Sequence, residues 1–360
     1  MHRIETEAVN PGDGRRRVTA SVGVVTFAAA AARGADPMAL GDSLLYDAKD
    51  AGRNGYVVLA EDDSDQPRAG VRMAWKDRLE RALREGLFEL HLQPIYDVGA
   101  GRVSGAEALV RLADGGELVH PGRFIYIAER AGLIAELDTW VIRHTVPMLR
   151  ALREHAPGFE IGLNLSARSL GSPLVDEALR AVIDEVGVRR GELVVEITES
   201  AAGQDIAVAR DFADRMRELG VELALDDFAA GFGSFHYLKH ISFDWVKIDG
   251  ELVANAHRDP RDLAVLRSIV GLTNDLGVRT IAEWVSSDDA LQVVRELGMH
   301  GAQGFAIGPP VPLDEFISRY LTPADQSGGA RSSEPVRAPE LDPSGKSSDQ
   351  PRELAEGIRA

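Results

Sequence analysis

The chain has 360 residues, 44% of them hydrophobic and 6% aromatic, enough apolar material for one large α/β barrel and a smaller element. Its formal charge of −17 excludes a protein that coats a nucleic acid polymer, because neutralising phosphates takes a basic face; a small anionic substrate would have to be met by cations. The absence of cysteine excludes disulfides and thiolate metal sites.

Near the start, Arg15-Arg16-Arg17 and the apolar run 18–32 have the outline of a secretory leader. β-Branched alternation inside the run argues for a strand instead, no membrane-spanning segment is visible, and the cytoplasm is the expected compartment. A strand-like run at 19–27, a helix-like run at 37–51, the turn Gly52-Arg53-Asn54-Gly55 and an apolar run at 56–60 make up the first zone. Residues 61–72, acidic and carrying Pro67 and Gly70, read as a linker. Between 73 and 322, short β-like runs alternate with amphipathic helical ones, the pattern of parallel βα units. The predicted strands are 87–96, 103–112, 160–166, 193–198, 221–228, 243–249, 279–283 and 301–307. Predicted helices between them include 138–155, 174–186, 206–219, 262–276 and 288–297, the last with Ser286-Ser287 as its cap. Eight strands in that length suggest a closed barrel. An open doubly wound sheet would announce itself by a glycine-rich phosphate turn after its first strand, and none is present. Residues 323–360, rich in Ser, Pro, Gly and charge, read as a disordered tail.

Six of these strands end in, or run into, a polar residue: Glu107, Asn164, Glu196, Asp226-Asp227, Lys247 and Glu283. The carboxyl ends of the strands of a βα barrel share one mouth, so these side chains converge there. Carboxylates gathered at close range repel one another unless a cation sits among them. Oxygen ligands and one amide, without a convincing His or Cys partner, point to Mg²⁺ or Mn²⁺. An adjacent pair such as Asp226-Asp227 is a natural bridge between two ions that clamp an in-line displacement at phosphorus. Any one acid at a strand end is more often a solvated residue, a helix cap or a salt-bridge partner, so it is the joint pattern that carries weight. Lys247 reads either as the partner of Asp244 or Asp249, or as a group that holds a metal-bound water and offsets transition-state charge. His236 and His240 have the i, i+4 spacing of a metal pair but no third ligand, and read as ordinary helix or loop residues.

The run Glu107-Ala108-Leu109-Val110-Arg111, after Gln93-Pro94-Ile95, resembles the signature of EAL-type cyclic di-GMP phosphodiesterases. Further matches follow in order: Pro121 with Phe124-Ile125 and Glu129; Asn164-Leu165-Ser166; Glu196-Ile197-Thr198-Glu199; Asp226-Asp227-Phe228; Lys247-Ile248-Asp249; Ala282-Glu283; and Gln303-Gly304-Phe305 before Pro309. The resemblance covers residues 75–320. It implies a TIM-like (β/α)8 barrel with its first strand antiparallel, assembled as a homodimer, acting on cyclic di-GMP with two divalent cations, Mg²⁺ or Mn²⁺. Carried over by position, the metal ligands are Glu107, Asn164, Glu196, Asp226, Asp227 and Glu283, with Glu107, Lys247 and Glu283 catalytic and Lys247 orienting the attacking water. Arg111 meets a substrate phosphate, Gln93, Gln303 and Asp249 stand on the substrate side, and Glu199 braces the loop after Asp227. The implied reaction opens one phosphodiester to give linear pGpG.

The chain departs from the family in two loops. Ala282-Glu283-Trp284-Val285-Ser286 stands where the family has Ala-Glu-Gly-Val-Glu. Phe228-Ala229-Ala230-Gly231-Phe232-Gly233-Ser234 replaces Phe-Gly-Thr/Ala-Gly-Tyr-Ser-Ser, and Ala229 is ill suited to a turn that needs positive φ. These changes favour an alternative reading, a catalytically weak or inactive domain that serves as a cyclic di-GMP receptor or a protein-interaction module. From the residues alone, an aldolase or enolase-like lyase is a further alternative, which leaves Gln93 and Arg111 unexplained. Ala20-Ser21-Val22-Gly23-Val24, Asp42, Leu45-Tyr46-Asp47-Ala48-Lys49 and Gly52-Arg53-Asn54 resemble the closing third of a GGDEF diguanylate cyclase domain, without its signature loop or metal-binding acids. The expected division is therefore a truncated GGDEF-like fragment at 1–60, a linker at 61–72, the barrel at 73–322 and the tail at 323–360.

Overall fold

Two valine-rich runs, stiff at χ1 and suited to extended backbone, form strands β1 (Val22–Val25) and β2 (Tyr56–Leu59), paired in parallel with Val22 opposite Tyr56. The computed structural model describes residues 22–25, 56–59, 66–229 and 234–322. The rest of the GGDEF-like zone, the loop 230–233 and the tail 323–360 lie outside the described residues. The chain divides into two compact units after Trp75. Helix α1 (Gln66–Glu85) starts inside the stretch expected to be a linker. Pro67 falls in its first turn, where a missing N–H costs no hydrogen bond, so the proline marks a helix start rather than a break.

The second unit is a closed barrel. Its strands are β3 (Phe88–Asp97), β4 (Arg102–Asp114), β6 (Glu160–Asn164), β7 (Leu193–Thr198), β8 (Glu222–Phe228), β9 (Trp245–Ile248), β10 (Arg279–Ala282) and β11 (Gly301–Gln303), in the order β3-β11-β10-β9-β8-β7-β6-β4, and β3 pairs with β4 to close the ring. β3 runs antiparallel to both its neighbours, as expected, and all other barrel pairings are parallel. The short strand β5 (Glu117–Val119) folds back on β4 outside the ring. Gly115 and Gly116, at φ 64° and 82°, make the turn that joins them, a conformation open to glycine at little cost.

Helices α2 (Ile125–Ala131), α3 (Ile134–His155), α4 (Pro173–Val186), α5 (Glu199–Gln204), α6 (Ile206–Leu219), α7 (Ser234–His240), α8 (Gly250–Asn255), α9 (Pro260–Asp275), α10 (Asp288–Glu296) and α11 (Leu313–Phe316) fill the connections. Ser287 caps α10 by accepting from Ala290 N, as its position predicted. Helix α3 begins four residues before the predicted 138, and β11 stops at Gln303 instead of 307 because Gly304 turns the chain at φ 151°. Among the described residues no helix is long and apolar enough to cross a membrane.

Side chains alternate along each strand, which sorts them into two cores. Ile161, Leu163, Val195, Ile197, Leu223, Leu225, Val246 and Ile248 pack outward under the helices, against residues such as Leu179, Phe212 and Leu266. Val194, Ala224, Trp245 and Ile281, with Ile95, form a separate apolar layer inside the barrel. Below that layer the barrel floor is ionic. Trp245 Nε1 donates to Glu222 Oε2 at 3.0 Å, the Arg279 guanidinium lies 3.7 Å from the centroid of the same indole and pairs with Glu222, and Arg279 Nη1 stands 3.6 Å from Glu160 Oε1.

Asp138, on α3, is buried where its Oδ2 accepts from Ser166 N at 3.2 Å, and burial pushes its carboxyl from 3.8 up to about 7. A raised acid binds its proton more tightly folded than unfolded, so its contribution to stability falls as pH rises from about 4 to 7 and is constant above that. Asp138→Asn therefore gains stability relative to the parent between about pH 5 and pH 8, measured by urea unfolding at both. An equal difference at the two pH values would contradict this.

Candidate active site

Two residues beyond the interior apolar layer, the same strands present their next inward position, and there the chain places charge. Glu196 follows Val194, Asp226 follows Ala224, Lys247 follows Trp245 and Glu283 follows Ile281. On the antiparallel strand the order reverses: Gln93 precedes Ile95 and pairs across with Glu107. The period of two thus assembles the mouth.

Lys247 is the hub. Its Nζ donates to Glu196 Oε2 at 2.6 Å and Glu107 Oε2 at 3.0 Å, and stands 3.0 Å from Glu283 Oε1 and 3.3 Å from Asp226 Oδ1, with all five residues buried. Neither Asp244 nor Asp249 is its partner. Asp244 pairs with Arg190 at 2.6 Å, and Asp249 Oδ1 caps α8 by accepting from Glu251 N at 2.7 Å. Glu107 is held from two further sides of the ring: Asn164 Nδ2 donates to its Oε1 at 2.5 Å and Gln303 Nε2 to its Oε2 at 2.6 Å, while Gln303 also reaches Gln93 Oε1 at 3.1 Å. Ser166 donates to Glu129 at 2.7 Å and fixes the turn after Asn164.

Consecutive strand residues point to opposite faces, so Asp226 and Asp227 cannot both look into the mouth of a regular strand. The β8–β9 register breaks between Leu225 and Phe228, and Asp227 adopts φ 56°. This bulge turns both acids to one place: single oxygens of Asp226, Asp227 and Glu283 lie within 4.8 Å of one another.

The charges do not balance. One ammonium faces the carboxylates of Glu107, Glu196, Asp226 and Glu283, with Asp227 close by. Burial and neighbouring acids push Glu196 up to about 8 and Glu283 well above the usual carboxylate range. Glu107 stays below that range despite its burial, because Lys247, Gln303 and Asn164 all favour its ionised form. Lys247 is buried yet held well above its ordinary value by the acids around it. Asp226 Oδ1, buried, has an ion pair but no hydrogen bond. A hard oxygen-donor set with an excess of negative charge and an unsaturated buried oxygen fits divalent cations.

Arg111, four residues beyond Glu107 on β4, is buried, donates to Val110 O at 2.9 Å and is lowered by burial to about 10, so it is still a cation at neutral pH. His120, with His91 and Arg123 around it, stands near Arg111, and sequence reasoning passed these residues over; burial first, and then the charge of Arg111, holds His120 below its ordinary value. No spacing rule points to them, since they lie on separate strands and loops. Glu199 begins α5, directly after β7, with Thr198 as the cap. The rings of His236 and His240 on α7 meet at a tilt of 54° with their centroids 4.6 Å apart. Ala229 sits at φ 75°, the positive φ to which its side chain is ill suited; Trp284, whose backbone conformation the sequence does not announce, sits at φ 51°.

The chain is an eight-stranded barrel with one antiparallel strand and an acid-ringed mouth, and comparison with known proteins gives the family. The EAL domain profile matches residues 76–310, and the chain belongs to the EAL domain family. It is 34% identical over 317 residues to the cyclic di-GMP phosphodiesterase NbdA of Pseudomonas aeruginosa, covering 86% of this chain and 40% of that protein. It is 33% identical over 279 residues to the cyclic di-GMP phosphodiesterase PdeB of Shewanella oneidensis, covering 76% of this chain and 32% of the relative. The chain thus spans two fifths or less of the length of these relatives. Among solved structures, the PaMucR phosphodiesterase in complex with c-di-GMP superposes with a TM-score of 0.63 at 28% identity, over 68% of this chain and 99% of that one. The FimX EAL domain of Xanthomonas citri, in complex with c-diGMP, shares the fold with a TM-score of 0.65 at 23% identity, over 69% and 97%.

Proposed function

We propose that the barrel is a metal-dependent phosphodiesterase that hydrolyses cyclic di-GMP to linear pGpG. The observation that carries this reading is the convergence of Glu107, Glu196, Asp226 and Glu283 on Lys247, with the bulged Asp227 beside them. Glu107, Asn164, Glu196, Asp226, Asp227 and Glu283 would hold two divalent cations, Mg²⁺ or Mn²⁺. Such ions acidify a bound water and offset charge on phosphorus. Lys247, released from its carboxylates, orients the attacking water through its ammonium. Arg111 receives a phosphate, Gln93, Gln303 and Asp249 line the substrate side, and Glu199 supports the loop after Asp227. Attack of the water oxygen on phosphorus breaks one P–O3′ bond, the leaving oxygen takes up a proton, and the ring opens.

The reading extends to a homodimer in the cytoplasm. The parallel pair β1–β2 supports residues 1–60 as the end of a GGDEF-like domain ahead of a barrel at 73–322.

Incubation of the purified chain with Mn²⁺ or Mg²⁺ and cyclic di-GMP, followed by chromatography, is expected to show pGpG, and chelation to abolish it. The strained non-glycine residue Ala229 favours the second reading, a receptor. Tight nucleotide binding without linear product decides for that one.

A further inference from the structure

The strand-end segment Glu283-Trp284-Val285 is tied down on both sides. Glu283 N donates to Ile248 O at 3.2 Å, on the β9 side, and Val285 N donates to Gln303 O at 3.0 Å, on the β11 side, where Ala306 N returns a bond to Val285 O at 2.9 Å. Gly304 admits this pairing, since a Cβ there would stand 2.3 Å from Val285 N. Between the two ties Trp284 adopts φ 51°, a left-handed backbone that a bulky residue takes only when its surroundings impose it.

What surrounds it is Gly250, the first residue of α8 and the neighbour of Asp249. A Cβ on Gly250 would meet Trp284 Cγ at 2.2 Å and Trp284 Cβ at 2.3 Å. The indole therefore rests directly on the bare backbone of residue 250. Glycine at 284 would take the same φ without strain but would leave that seat empty and the backbone free to rotate.

We propose that Trp284 is a positioning residue for Glu283: its indole, seated on Gly250, locks the turn that aims the Glu283 carboxylate at Asp226 and Asp227. The proposal rests on the reading of Glu283 as a metal ligand. Residues that orient ligands typically change metal affinity or activity by about 10–100-fold when replaced. Trp284→Gly is expected to weaken Mn²⁺ binding about tenfold by calorimetry and to lower kcat by a similar factor, with KM for cyclic di-GMP changed by less than about twofold. Trp284→Phe keeps a flat ring on Gly250 and stays within about threefold of the parent. Gly250→Ala displaces the indole and reproduces the loss, and the double variant Gly250→Ala, Trp284→Gly is no worse than Trp284→Gly alone.

Circular dichroism monitors folding, and if Trp284→Gly does not fold, Gly250→Ala and Trp284→Phe decide. Mn²⁺ affinity in Trp284→Gly equal to the parent's, or a loss in Trp284→Phe as large as in Trp284→Gly, overturns the proposal. Mn²⁺ binding without turnover by the parent removes only the phosphodiesterase reading, because the calorimetric comparison still applies. No Mn²⁺ binding by the parent overturns both.

Discussion

Lys247→Met is expected to cut turnover sharply and, at the same time, to make the barrel depend on divalent cations for its stability. The side chains are of similar length, so the change removes a charge and little volume. Four buried carboxylates then face one another across gaps that the ammonium now bridges at 2.6 to 3.3 Å. Breaking a buried ion cluster by removing one sign typically costs about 3–5 kcal/mol. Proton uptake by Glu196 and Glu283, already raised, holds the loss toward the lower end. A domain of this size should lose roughly 5–10 °C in Tm. Turnover should fall on the order of 10²–10³-fold, the usual effect of deleting one preorganised charge at a transition state. On the proposed reading Mn²⁺ would bind only the folded chain and supply the missing positive charge, so it should raise the Tm of the variant more than that of the parent. Thermal scans with and without Mn²⁺, alongside kcat, check both halves. A variant within tenfold of parental kcat, or an equal Mn²⁺ effect on the two proteins, would remove Lys247 from the centre of the site.

Which parts of this site the sequence discloses follows from the range of the interactions involved. Polar residues at the ends of apolar runs are legible because they break a local pattern, and Glu107, Glu196, Asp226, Lys247 and Glu283 all stand where that pattern breaks. The alternation of strands and helices gives the barrel for the same reason, while the antiparallel first strand came from family resemblance and not from periodicity. Other features depend on register between strands distant in sequence. The bulge that turns Asp227 to the side of Asp226 shows only as two adjacent acids, and the ionic floor of Glu160, Glu222 and Arg279 shows only as strand-start charges that any edge would carry. The start of α1 was hidden because Pro67 signals both a linker and a first helical turn. The strain at Ala229 could be anticipated from its chemistry; that Trp284 pairs with Gly250, 34 positions away in the chain, could not.

Gly162 is the residue with the largest functional weight for which no sequence signal exists. It lies on β6 between outward-facing Ile161 and Leu163, and its own inward position is left empty. The Glu196 side chain from β7 crosses that space: a Cβ at 162 would stand 2.0 Å from Glu196 Oε1, while Glu196 Oε2 is the atom that accepts from Lys247 at 2.6 Å. The obstructing atom is the end of a flexible side chain, so Gly162→Ala has a way to fold: the carboxylate swings aside and the strands keep their pairing. The exchange also removes a glycine from a strand interior, worth about 0.5–1 kcal/mol in favour of folding, which offsets part of the lost contact. Stability should thus move by no more than a few degrees in Tm, while kcat and Mn²⁺ affinity should each fall about 10–100-fold, as when a ligand loses its support. That split separates a site effect from a fold effect. Parental activity in Gly162→Ala would show that Glu196 can act from a second position, and general unfolding would show that the barrel interior is too tightly packed at this layer to yield.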